Sequence, residues 1–171
     1  MPGGAGQHLT GARGYDPGER PVRGVIMYSE REDLSPLGYY NVGQSYLDAA
    51  ELVRERRLPF EGPARAMYAH AWELTLKACL RVQGQSVSHI RNVIRHDLVK
   101  AYDAIDLDRF SDLKLSDARF LVEQLNDFHL ERINFYPKAG SFNVLNLDDV
   151  GDWSRRLRLE RNIASKLFFP G

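Results

Sequence analysis

The residue types best equipped for chemistry in this chain lie together in Arg91-Asn92-Val93-Ile94-Arg95-His96-Asp97. Guanidiniums pair with phosphate oxygens or with charge growing on them, and an imidazole titrating near neutrality passes a proton. Such a set suffices to cleave RNA without a metal. His96 would act as general base or acid between the 2′-hydroxyl and the leaving 5′-oxygen, Arg91 would stabilise the pentacovalent phosphorus, and Asn92 would orient one of them. The alternative is structural: Asp97 in a first helical turn favours the helix dipole, and His96 bonds a neighbouring carbonyl. Five positions on a continuous helix turn Arg91 and His96 about 140° apart. They converge only if the helix starts late, or if a second subunit brings a matching pair.

Other candidates are more diffuse. Arg155, Arg156, Arg158, Arg161 and Lys166 face only Asp152 and Glu160, giving residues 151–171 a net charge of +3. With Arg95, the side chains of Arg155 and Arg158 are the candidate nucleic-acid or ligand contacts; a solvated outer helix face is the competing reading. His70 beside Glu73 reads as a hydrogen-bonded core or interface histidine, and His129 as part of a surface polar network. Neither has a second histidine or a carboxylate at metal-ligand spacing, so no metal site is expected. Asp103, Asp106, Asp108 and Asp112 lack the glycine and terminal acid of a calcium loop. Tyr39, Tyr40, Phe135 and Tyr136 have faces on which bases stack, although aromatics at helical spacing usually form core. Cys79, the one cysteine, lies in the apolar run Ala78-Cys79-Leu80 and reads as core. With no glycine-rich phosphate loop after a strand, no cofactor is expected.

The composition bounds the classes open to such a site. The chain has 171 residues, with 23 Lys+Arg against 23 Asp+Glu. That length suits one domain, and the neutral balance excludes a strongly basic polymer-binding domain. No run approaches the roughly 18 apolar residues that span a bilayer, and the N-terminus lacks the apolar segment of a signal peptide, so a cytoplasmic location without membrane contact is expected.

The elements that must position these residues read as helices. Residues 1–24 form a Gly- and Pro-rich arm expected to be flexible, and residues 25–171 the folded domain. Ser35-Pro36 caps a first helix running to about Arg57. After Glu61-Gly62-Pro63, a second helix through Met67, Ala71, Leu74 and Ala78 ends near Gly84; it is too apolar for a surface position, and carries Glu73 and Lys77 at i,i+4 on one edge. A third covers Ser88 to Ile105, regular only from about His96. Residues 107–115 read as a connector. Ser116-Asp117 caps a fourth helix through Phe120, Leu121, Leu125 and Phe128 to about Ile133, and Asn146 caps a fifth that keeps its period to Phe168. Five helices and no convincing strand predict an all-α, up-and-down bundle.

The segments His70-Ala71-Trp72-Glu73-Leu74-Thr75-Leu76-Lys77-Ala78, Gly84, Arg95-His96-Asp97-Leu98, and Arg132 with Tyr136-Pro137 resemble the HEPN superfamily of small all-α domains over roughly residues 38–168. The resemblance is to the branch in which a helix with Glu and Lys at i,i+4 precedes a His-Asp-Leu step. Ribonucleases of the superfamily carry an Arg, four to six residues and a His, often with a polar residue after the Arg. Arg91-Asn92 and His96 match that pattern, here overlapping the His-Asp-Leu step rather than lying in a later helix. The resemblance implies a five-helix HEPN-like bundle that forms a homodimer. It implies a non-catalytic module binding a nucleotide, RNA or a protein partner such as an antitoxin, or, as the alternative, a metal-independent endoribonuclease of toxin or defence type using Arg91 and His96.

Overall fold

A computed structural model describes residues 35–57, 61–130 and 146–168, all within the compact unit Glu32–Gly171. The arm expected over 1–24, the segment Val25 to Tyr28, and the stretch holding Arg132, Phe135, Tyr136 and Pro137 lie outside the described residues.

Helix α1 spans Pro36–Glu55 and starts where the Ser-Pro signal places it: Ser35 Oγ accepts from Gly38 N–H at 3.0 Å, and Pro36 occupies the first turn. Helix α2, Gly62–Val82, is the centre of the molecule. Tyr68, Ala71, Trp72, Leu76, Cys79 and Leu80 are all essentially inaccessible, which is why its rows carry so few polar residues. Cys79 is core, and burial pushes its thiol well above the ordinary value. At Gly43 the first two helices approach so closely that a Cβ would stand 3.2 Å from both Ala71 O and Thr75 Oγ1.

The third predicted helix is broken, as its irregular first turns foreshadow. A single turn, α3 (Val87–His89), runs into a π-helical turn at Ile90–Ile94. The chain then reverses at Arg95, which takes φ +56, and restarts as α4 (Leu98–Asp103). Asp97 is its cap, accepting Lys100 N–H at 3.0 Å, while Asn126 Oδ1 takes Leu98 N–H at 2.7 Å. Between α4 and α5 the connector folds into a 3-10 turn, Asp108–Leu113, that buries Phe110 and Leu113. Tyr102 secures it by donating to Leu115 O at 2.7 Å.

Helix α5 covers Arg119–Leu130, with Leu121, Val122 and Leu125 inward. Phe120, expected on the apolar face, is instead 61% exposed. Asn146 caps the next helix by accepting Asp148 N–H at 3.0 Å. The single fifth helix expected from there to Phe168 is corrected to two: α6 (Leu147–Ser154) with a 3-10 turn at Arg155–Leu157, then α7 (Arg161–Phe168). The reason lies in α1. Tyr40 donates its hydroxyl to Leu157 O at 3.0 Å and accepts Leu159 N–H at 2.8 Å, satisfying backbone groups that a continuous helix would have bonded internally. Trp72 Nε1 donates to Ser154 Oγ at 2.9 Å and fixes α6 against α2. The architecture is all-α, with no strand among the described residues.

Candidate functional site

Among the described residues, polar chemistry gathers around Glu73. This side chain sits in the middle of the apolar helix α2 with 6% exposure, a place where a carboxylate persists only if it is paired. Both its oxygens are occupied. Oε1 accepts Nδ1–H of His96 at 3.0 Å and pairs with the Lys77 ammonium; Oε2 accepts Nε2–H of His129 at 2.7 Å. His70 Nδ1 stands 3.6 Å from the same Oε2. Burial by itself raises the Glu73 pKa, but the contacts from His129, His70 and Lys77 outweigh it and hold the carboxyl well below the usual range.

Three separate elements build this cluster. His70, Glu73 and Lys77 recur at helical spacing on one face of α2. His129 comes from the last turn of α5. His96 comes from the short link between the reversal at Arg95 and the α4 cap at Asp97. The late helix start turns His96 onto Glu73, which a continuous helix from Arg91 would not have done. The histidine rings touch: His70 and His129 are 4.9 Å apart edge to face, and His96 and His129 6.0 Å. Access differs sharply across the group. His129 has 8% side-chain exposure, whereas His70 has 43% and His96 67%.

Tyr39 of α1 borders the same region. Burial raises its pKa, Arg81 and Arg91 act to lower it, and Glu73 acts to raise it, which places all three charges within electrostatic reach of the phenol. Arg91 is exposed on the π-helical turn. Arg81 donates to Gln85 O at 2.7 Å. Asn92 is also exposed, donating to Ser88 Oγ at 3.1 Å rather than to His96.

The other sequence candidates lie elsewhere or are engaged. Arg95 is exposed at the reversal. Arg155 pairs with Glu51 at 3.2 Å and with Asp152, and Arg158 with Asp48 at 2.7 Å; none of their contacts is to the Glu73 cluster. His129, read from sequence as surface, is nearly buried. Although no ligand spacing in the sequence links them, ligand atoms of His70, Glu73 and His129 lie within 4.8 Å of one another. Their spacing in the chain conceals this because α5 supplies the third member.

Comparison with family models, curated proteins and solved structures gives no match to this chain. The function must therefore be argued from the geometry.

Proposed function

We propose that this chain is a HEPN-like helical module, dimeric in solution, that binds the phosphate of a nucleotide or RNA beside His96 and Arg91. One observation carries the reading: a buried carboxylate holds Nδ1 of His96, whose side chain is 67% exposed. Lys77 pairs with the same carboxylate, so Glu73 does not leave a bare negative charge beside a bound phosphate. Arg91 and Arg95, both exposed, lie close to His96 in the chain and would supply fixed positive charge.

Binding of fluorescently labelled RNA and ATP to the purified chain tests this. Affinity that falls steeply with salt and drops at least about tenfold in Arg91→Ala and His96→Ala is expected for phosphate contacts. Salt-insensitive or mutation-insensitive binding would count against it. Light scattering at micromolar concentration tests the dimer, and a monomer there removes that part.

The same clamp favours a second reading, a metal-independent endoribonuclease. Fixing Nδ1 on a carboxylate sets the tautomer and aims Nε2 at a substrate proton. His96 would take the proton of the 2′-hydroxyl as that oxygen bonds phosphorus, with Arg91 pairing the phosphoryl oxygens; the P–O5′ bond breaks, leaving a 2′,3′-cyclic phosphate, and the departing 5′-oxygen takes a proton from water. Cleavage of mixed-sequence RNA in excess EDTA, abolished in His96→Ala and Arg91→Ala, would establish it; binding without cleavage would leave the module reading.

A further inference from the structure

We propose that His70, Glu73 and His129 form a three-ligand site for a divalent transition-metal ion of the zinc class. His70 and Glu73 lie three residues apart on α2 and so share a face, and α5 brings His129 to the same oxygen. The two imidazole nitrogens stand 3.6 and 2.7 Å from Glu73 Oε2. Around a tetrahedral zinc with bonds of about 2.0–2.1 Å, neighbouring donors stand roughly 3.4 Å apart. The trio's ligand atoms lie within 4.8 Å of one another, so side-chain adjustment would have to bring them to that spacing.

His70 makes only a long contact with the same oxygen. Its Nδ1 is directed at Glu73 Oε2 from beyond ordinary hydrogen-bond length, and that oxygen already accepts from His129. An ion seated between the three groups gives each a bond. Coordination through Nε2 would require His129 to carry its proton on Nδ1 instead, so that two neutral imidazoles and one carboxylate face the ion. The remaining oxygen, Oε1, is held by His96 and Lys77, the outer-shell support that fixes a ligating carboxylate. Lys77 pairs with Oε1, the oxygen not offered to the proposed ion. Two histidines and one carboxylate with an open fourth position suit Zn²⁺ or Co²⁺ rather than Mg²⁺ or Ca²⁺. His70, 43% exposed, sets the proposed site at the border with solvent. This site does not depend on the nucleotide or RNA reading.

The test uses the untagged full chain, stripped with chelator and titrated with Co²⁺ and Zn²⁺ in the absence of nucleic acid. One equivalent of Co²⁺ with intense tetrahedral absorption bands, displaced by Zn²⁺, is expected. His70→Ala, at a half-exposed position, should retain the far-UV circular dichroism of the parent and weaken binding at least about tenfold. His89→Ala, which changes the described histidine outside the cluster, should leave it unaltered. Absence of stoichiometric binding by the folded chain would overturn the site, as would binding that survives His70→Ala or is lost in His89→Ala.

Discussion

Glu73 Oε1 lies 3.0 Å from His96 Nδ1, joining a carboxylate with 6% exposure to an imidazole with 67%. The two partners should therefore respond oppositely to mutation. His96→Ala removes a mostly solvated ring and should leave the melting temperature within a few degrees of the parent while weakening phosphate binding. Glu73→Gln leaves Lys77 with 12% exposure and no countercharge. Breaking a buried pair from one side costs about 3–5 kcal/mol, and in a chain of this size each kcal/mol lowers the melting temperature by about 2–4 °C. Thermal melts of both variants check this, with the large drop expected only in the second.

The close approach of α1 and α2 makes Gly43 sensitive to any side chain. A Cβ there meets the Ala71 carbonyl at 3.2 Å, and that backbone atom has no freedom to rotate away. Gly43→Leu should destabilise the fold by about 1–3 kcal/mol or more, the cost of forced overpacking. Urea denaturation measures it, and a Leu variant as stable as the parent would contradict the helix packing.

Alkaline stability should depend on Tyr68. Burial, together with its hydrogen bond to Glu51 at 2.9 Å, raises the phenol well above its ordinary pKa of 10.0. The folded state therefore keeps the proton while the unfolded chain loses it. The stabilisation is complete below pH 10 and is lost as pH rises through the folded value. Above pH 10 the parent should lose about 1.4 kcal/mol per pH unit more than Tyr68→Phe does. Denaturation series across that range compare the two slopes.

The last two helices should loosen together in Tyr40→Phe. That change deletes the partner of both Leu157 O and Leu159 N–H. An unsatisfied buried group costs about 1–3 kcal/mol, although Gln44 continues to donate to Leu157 O at 3.2 Å. Amide exchange over Arg161–Phe168 should accelerate more than exchange over α2.

The ends and faces of several helices were legible because their determinants are local. Ser35-Pro36 and Asn146 announce their helices by short-range capping, and the apolar rows of α2 announce a central helix. The split of α6 from α7 was hidden because its cause is a hydroxyl 117 residues away from Leu157. The Glu73 cluster was hidden for the same reason: His129 lies 56 residues from Glu73, and no spacing rule links them. One local signal did exist. A carboxylate at the centre of an apolar helix requires partners, and with Lys77 only on one oxygen, further donors had to arrive from elsewhere.

The Tyr40 hydroxyl also sets an order of assembly. Helices α1 and α2 are adjacent in the chain and pack against each other directly, so their pairing closes only a short loop. The backbone that Tyr40 serves lies near the other terminus. On a ribosome the N-terminal pair has all its residues long before Leu157 and Leu159 emerge, and during that interval Tyr40 and the α2 face beneath Ser154 have no native cover. Residues 157–168 thus act as a closing clasp, and truncation before Leu157 would strip the cover that Leu157, Ala164 and Phe168 give the core, Tyr40 included.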